Sequence, residues 1–174
     1  FFTPLKHTLS ILLLAAGVIA GIAGCAGTAR GPVRSTFIDV HEFGPGKVTA
    51  AAVAKAHQAD LAVQGKHDVR FLEYWVDEAR GTVYCVSEAK DAASIVATHG
   101  EAHGLLPNRV LPVAGGEPAP SSATEAKLYL DVHTLGPGKV TAAAVAAAHE
   151  KDLAVQSQFG VHFINYWVDE ANGQ

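Results

Sequence analysis

The chain has 174 residues, of which 49% are hydrophobic and 17% charged, which suits one ordinary domain or two small ones. Its formal net charge of −4 comes without a basic block, which argues against electrostatic binding to nucleic acid or to an anionic membrane surface. Nine histidines accompany two cysteines and no methionine. Because histidine titrates near neutrality and readily ligates metals, the histidines most need an explanation.

Residues 1–24 have the organisation of a signal peptide. A weakly positive start precedes the apolar segment from Ile11 to Gly24, whose last positions are small residues. The sequence "IAGC" resembles the bacterial lipobox, a branched aliphatic residue followed by two small residues and a cysteine. The resemblance implies cleavage before Cys25, whose thiol and new amino group would be the lipid attachment points. We therefore expect a cell-envelope protein, lipid-anchored outside the cytoplasmic membrane.

An uncleaved signal anchor is the alternative, since the apolar stretch from Leu9 to Ala26 just reaches the length needed to span a bilayer. Residues 25–35 are small and polar and predict a tether that holds the folded part off the membrane. With Cys25 lipidated, Cys85 is the only cysteine left in the mature chain. No intramolecular disulfide is then available.

Residues 36–113 divide into predicted elements in chain order. "TFIDVH" alternates in hydropathy and predicts a strand ending near His41. "GPGK" predicts a turn, and Thr49 is a suitable N-cap for an Ala-rich helix over residues 50–64. "VRFLEYWVDE" and "TVYCVSEA" then predict the two strands of a hairpin joined around "ARG".

The rest of this segment predicts one more helix and one more strand. Asp91 is expected to cap the helix "AASIVATHGEAH", Gly104 to end it, and "NRVLPV" to form an edge strand because of its proline. The order βαββαβ predicts an α+β fold of the ferredoxin-like class, with two helices on one face of a four-stranded antiparallel sheet. An apolar opposite face would need a partner, either the second repeat as a pseudo-dimer or another subunit of a homodimer.

The chain contains an internal duplication. Residues 37–81 pair with residues 129–173 at a constant offset of 92, and 30 of the 45 pairs are identical, which indicates a recent event. Residues 114–127 are rich in Gly, Pro and Ser and predict a linker. Residues 128–174 are then a second ferredoxin-like domain that is incomplete. We expect truncation, because half a sheet would leave strand edges unpaired.

Two histidines lie near the end of the predicted second helix. Their i, i+4 spacing puts His99 and His103 on one helical face, close enough to share a metal ion. Gly100 follows His99, so the motif is not the HExxH of zinc peptidases. The alternative is that the helix dipole stabilises both imidazoles without a metal.

Further candidate ligands precede this pair. His57 and Asp60 lie at i, i+3 on the first helix, and His41 shares its strand parity with Asp39. Imidazoles and carboxylates suit zinc, nickel, copper or iron, and Cys85 could join them. A surface hydrogen bond is the alternative for the helix pair, and a role as a small buried hydrophobe is the alternative for Cys85. The counterparts in the second copy are His149, Asp152, His133 and Asp131.

"FIDVHEFG", "AHQADLAVQ" and the segment from "VRFLEYWVDE" to "HGLLPNRV" together resemble a small bacterial family of nickel-binding proteins. The most specific pieces are "YW" followed by "DE", the cysteine followed by "EA", and "HGEAHGL". The resemblance implies a ferredoxin-like fold, dimeric assembly and a divalent transition metal. The second copy lacks counterparts of Cys85, Glu88, His99 and His103. If those residues carry the metal, the chain has one complete site.

Two functions from different classes fit this sequence. The first is a lipoprotein that captures, buffers or senses nickel or another divalent transition metal such as zinc or copper. Its candidate ligands are His99, His103, His41, His57, Asp60, Cys85 and Glu88. Because imidazoles bind metals in the neutral form, the affinity should fall as pH drops through about 6.5. The alternative is a small oxygenase-type enzyme of the dimeric α/β-barrel class, with Asp39, His41, a Tyr or Trp and Cys85 in reach of the bare sheet face.

Overall fold

The computed structural model describes residues 34–116 and 128–174. The predicted signal peptide, Cys25 and most of the predicted tether and linker lie outside the described residues. Within the two described ranges, no helix is both long enough and apolar enough to cross a membrane.

The first repeat begins with a strand and a helix. Strand β1 covers Ser35–Glu42 and helix α1 covers Ala50–Val63. As predicted, Thr49 caps α1, because its side-chain oxygen accepts a hydrogen bond from the backbone N–H of Ala52 at 3.2 Å. The cap fixes where the helix starts and therefore which of its side chains face the sheet.

A hairpin follows, as predicted. Strand β2 covers Arg70–Asp77 and strand β3 covers Thr82–Ala89, and the two pair antiparallel. The turn between them requires Gly81, because its φ is +69° and a Cβ atom there would lie 1.8 Å from the carbonyl oxygen of Gly44. The backbone N–H of Phe43 donates to the Gly81 carbonyl at 2.9 Å, which ties the turn to the loop after β1.

Helix α2 covers Ala92–Ala102 and strand β4 covers Arg109–Gly115. Asp91 caps α2 as predicted, since its carboxylate accepts from the backbone N–H of Ser94 at 2.8 Å. Gly104, with φ of +76°, takes the left-handed conformation that ends the helix.

These four strands form an antiparallel sheet in the order β2-β3-β1-β4. With α1 between β1 and β2 and α2 between β3 and β4, this is the ferredoxin-like topology, and the predicted α+β class is confirmed. In the central pair, Asp39 lies opposite Cys85 and His41 lies opposite Val83. The two polar residues of β1 are therefore in the middle of the sheet.

Helices α1 and α2 cover one face of the sheet. The buried apolar core on this face consists of Phe37, Val48, Val53, Val69, Phe71, Val83, Cys85, Ala89 and Ile95. Because side chains alternate along a strand, Asp39 and His41 face the same side as Phe37 and enter this core. Both are buried, with exposed fractions of 0% and 4%.

The second repeat contributes helix α3, Ala142–Val155, and a short strand β5, Trp167–Val168. β5 pairs antiparallel with Ala114 and Gly115, the last residues of β4. Over the predicted residues 109–113, β4 pairs with β1 alone among the described strands, as expected of an edge strand, and β5 pairs only with the two residues that follow. The sequence pattern of β4 alone could not show that a strand from the other repeat would pair with it.

The two repeats also meet through equivalent aromatic residues. Trp75 on β2 and its counterpart Trp167 on β5 have ring centroids 5.2 Å apart. Contact between the same residue of two copies is typical of an interface around a twofold axis. In this chain the two copies meet at the same position of each.

Candidate metal centre

Five polar side chains converge between the sheet and the helices. β1 contributes Asp39 and His41 at alternate positions, α1 contributes Asp60, and α2 contributes His99 and, one turn further on at its C-cap, His103. All except the half-buried His103 are buried. Polar groups at this depth are costly unless they are paired or bind an ion.

Asp60 lies between two imidazoles. Its Oδ1 is 2.9 Å from His99 Nδ1 and its Oδ2 is 3.2 Å from His103 Nε2. His103 Nδ1 accepts a hydrogen bond from the backbone N–H of Leu105 at 3.1 Å. A ring nitrogen that accepts a hydrogen bond carries no proton, so the proton of His103 is on Nε2, which donates to Asp60. The hydrogen bond from the Leu105 backbone therefore makes His103 Nε2 the hydrogen-bond donor to Asp60.

Asp60 also selects the tautomer of His99. An ionised carboxylate only accepts, so His99 Nδ1, which faces Asp60, carries a proton. The opposite nitrogen, Nε2, lies 3.3 Å from Asp39 Oδ1 but makes no hydrogen bond. When His99 is neutral, this buried Nε2 is the nitrogen with a free electron pair.

Asp39, His41 and His99 each have one buried polar atom without a hydrogen-bond partner, namely Asp39 Oδ2, His41 Nδ1 and His99 Nε2. The other nitrogen of His41, Nε2, lies 3.1 Å from Asp39 Oδ1. An unsatisfied buried polar group costs roughly 1–3 kcal/mol, so three such groups in one place require an explanation. Imidazole nitrogen and carboxylate oxygen are suitable ligands for a divalent transition metal.

Among the described residues, two sets of three side chains can bring one ligand atom each within 4.8 Å of the others. One set is Asp39, His41 and His99, and the other is Asp60, His99 and His103. Hydrogen bonds already link the three side chains of the second set, whereas each side chain of the first set keeps a polar atom without a partner. The first set therefore fits a metal ion, and the second orients the ligand that they share.

Opposite charges hold the metal-free cluster together. Burial by itself would lower the pKa of His99, but the carboxylates of Asp39 and Asp60 outweigh burial and raise this pKa to about 9. Burial would raise the pKa of Asp39, but the close contacts with the His41 and His99 rings and their positive charge bring it below its usual value. A metal cation could therefore replace the proton of His99 as the positive charge between the carboxylates.

Two of the sequence-predicted ligands, Cys85 and His57, lie close by but belong to neither set. Burial and the nearby carboxylates of Asp39 and Asp60 raise the pKa of the Cys85 thiol, which leaves the sulfur neutral. The His57 ring packs on Tyr74 with centroids 4.7 Å apart, and burial lowers its pKa. Both residues line a cavity next to the cluster.

Glu88 is not brought to the cluster. It lies three residues after Cys85 on β3, hence on the opposite face, where its carboxylate is 2.9 Å from the Arg70 guanidinium. Asp39 is the converse case, since it belongs to the cluster but not to the predicted ligand set. Its strand parity with His41 is the sequence signal that could have added it to that set.

Strand parity also bears on the enzyme alternative. That alternative requires Asp39, His41 and Cys85 at the open sheet face. This placement is wrong, because all three side chains lie on the face that α1 and α2 cover. The physical reason is the alternation of side chains along β1 and β3.

The cavity beside the cluster has a volume of about 240 Å³. Buried His41 and His99 line one part of it, and exposed Lys47 and Leu105 line another. The cluster is therefore next to a space with access to solvent.

The described structure is a ferredoxin-like domain that buries a histidine–aspartate cluster next to this cavity. The sequence profile of the nickel responsive protein SCO4226-like family matches residues 37–113 and 129–174. The chain therefore belongs to that family. It is also similar to a solved structure described as SCO4226 from Streptomyces coelicolor A3(2), at 36% identity over 51% of this chain and 100% of that chain, with a TM-score of 0.42. No curated protein matches the chain.

Proposed function

We propose that this protein binds one divalent transition-metal ion, nickel or a similar ion, through Asp39, His41 and His99 in the first repeat. The observation that carries the proposal is that these three buried side chains each bring one ligand atom within 4.8 Å of the others, and that each keeps a buried polar atom without a hydrogen-bond partner. The family's description as nickel responsive supports nickel in particular. Zinc and copper would suit the same nitrogen and oxygen ligand set.

The supporting residues give the proposed site a defined geometry before the metal arrives. His103 donates to Asp60, and Asp60 accepts from His99 Nδ1, so the His99 ring is held with Nε2 facing Asp39. A carboxylate behind a metal-binding histidine raises the basicity of the ligand and fixes its tautomer. We infer that Asp60 and His103 act in this way and that His103 itself is not a ligand.

The proposed role is capture, buffering or sensing of the metal outside the cytoplasmic membrane. The lipobox-like "IAGC" before the tether supports this location. Metabolic labelling with a fatty acid should mark the expressed chain and leave its Cys25→Ser variant unlabelled. Equal labelling of both would overturn the lipid anchor without affecting the metal site.

The duplication supplies a matched control for the metal site. His41 and His133 occupy the same repeat position, but only His41 lies in the cluster. After nickel loading and dialysis of the full chain, elemental mass spectrometry should find close to one nickel per chain. The His41→Ala variant should lose this nickel and the His133→Ala variant should retain it. Equal nickel in all three proteins, or none in the unmodified chain, would contradict the proposal.

A further inference from the structure

The cavity next to the proposed metal site is larger than an ion and a few water molecules require. Its volume is about 240 Å³, whereas an engineered cavity of about 150 Å³ in another protein accommodates benzene. The space therefore has room for a ring-sized apolar group together with a small polar head.

The walls of the cavity are mainly apolar. Side chains from the loop before α1, from the inner face of α1 and from β3 line it, among them Phe43, Val48, Val53, Ala56 and Val83. An apolar group that packs on these walls removes apolar surface from water, so it is the favoured occupant of this part. The small side chain of Ala56 leaves room that a larger residue would fill.

The charges around the cavity favour one negative charge on the occupant. The carboxylates of Asp39 and Asp60 would neutralise a divalent ion at the proposed site. Lys47 also lines the cavity, and it is exposed. One positive charge is then left over, and a monoanionic head group matches it.

We propose that the cavity binds a small monoanionic chelator with an apolar tail. This inference rests on the proposed metal site, because the head group would bind to the metal ion held there. The tail would pack between Val53, Ala56 and Val83. The protein would then take up its metal as a complex with a small organic ligand, or hold the two together.

The test compares two hydroxamates that share a head group and differ in their tails. Benzohydroxamate carries a phenyl ring and acetohydroxamate a methyl group, and both bind metals as monoanions. Isothermal titration calorimetry on the nickel-loaded full chain should give at least about tenfold tighter binding for benzohydroxamate, from burial of the ring. Elemental mass spectrometry after dialysis should show that the nickel stays with the protein.

The repeat again supplies a control. In the Ala56→Leu variant the added side chain fills the cavity, so the preference for benzohydroxamate should fall below about threefold while the nickel content is unchanged. The Ala148→Leu variant changes the equivalent position of α3, which is exposed, and should keep the preference. If Ala56→Leu does not fold, the affinities of benzohydroxamate and acetohydroxamate for the unmodified chain still test the proposal.

Two failures can be distinguished. Nickel retained by the chain with equal affinity for both hydroxamates, or removal of the nickel by benzohydroxamate, would overturn the cavity proposal and leave the metal site standing. A chain that holds no nickel before any hydroxamate is added would overturn the proposed function, and the cavity proposal with it.

Discussion

The two repeats share most of their sequence from β1 to β2 and yet have different structures. Helices α1 and α3 have the same length and the same cap, with Thr49 and Thr141 each accepting from a backbone N–H at 3.2 Å. The segments before them differ, because residues 35–42 form a strand whereas residues 128–134 do not. A helix and its cap need only local sequence, but a strand needs neighbours.

The same difference applies to the metal-binding candidates. The Asp39 and His41 side chains are 0% and 6% exposed, whereas those of Asp131 and His133 are 80% and 75% exposed. Identical residues at identical spacing thus form a buried cluster in one repeat and an exposed pair in the other. The buried cluster also depends on β3, which pairs with β1, and on α2, which supplies His99.

The largest expected effect of a substitution concerns the charged ligand. Asp39→Asn keeps the size of the side chain but removes its charge, and should weaken nickel binding by at least about 100-fold, since ligand loss exceeds the 10- to 100-fold cost of losing a supporting contact. Asp131→Asn should leave the affinity unchanged. Competition with a chelating indicator measures both. Equal nickel affinities of the two variants would show that Asp39 is not a ligand and that the metal site is not the one proposed in the first repeat.

The pH dependence of nickel binding should be of similar size. Because the pKa of His99 in the metal-free protein is raised to about 9, nickel must displace its proton at neutral pH. The affinity should therefore rise about tenfold per pH unit from 6.5 and level off near 9. This moves the expected transition well above the sequence-based value of about 6.5. An affinity that levels off by pH 7 would show that His99 is not the residue that competes.

The same proton should contribute to the stability of the metal-free protein. Because the pKa of His99 is about 9 in the folded state and about 6.5 in the unfolded state, protonation of His99 stabilises the folded protein. This stabilisation is complete below pH values of about 6.5 and is lost as pH rises through about 9. Urea unfolding should show a loss of about 2–3 kcal/mol between pH 6.5 and 9.5. His99→Gln should abolish this slope, and a slope that survives the substitution would contradict the assignment.

A smaller effect is expected at His103. His103 Nε2 donates to Asp60 and does not contact the metal in the proposed site. His103→Gln should therefore weaken nickel binding by about 10-fold, the lower end of the range for losing a residue that supports a ligand. His99→Gln in the same titration should weaken binding much more. Equal losses for the two variants would make His103 a ligand and show that its hydrogen bond from Leu105 does not fix its tautomer.

The smallest effect concerns the two helix caps. Thr49→Ala should lower the free energy of unfolding by about 1 kcal/mol, because α1 packs on the core. Thr141→Ala removes the same hydrogen bond from α3, which has no buried residue, and should leave the main unfolding transition in place. Urea unfolding followed by tryptophan fluorescence distinguishes the two. A cost as large for Thr141→Ala would mean that α3 packs as firmly as α1.

Much of the local structure followed from the sequence. The caps at Thr49 and Asp91, the hairpin around Gly81 and the helix end at Gly104 all lie where short-range patterns predicted them. These features depend on side chains and backbone within a few residues, so the local sequence is sufficient to predict them. The order of the elements then led to the ferredoxin-like fold.

The composition of the cluster required the tertiary structure. The i, i+4 spacing of His99 and His103 predicted a shared ion, but it could not show that Leu105 occupies His103 Nδ1 or that Asp60 lies between the two rings. Asp39 and Asp60 are 21 positions apart in sequence, and His99 is a further 39 away. Which of these groups is a ligand and which is a support depends on hydrogen bonds between elements that only folding brings together. For that reason the sequence by itself determined the elements and the candidate residues, whereas the packing of α1 and α2 on the sheet decided the site.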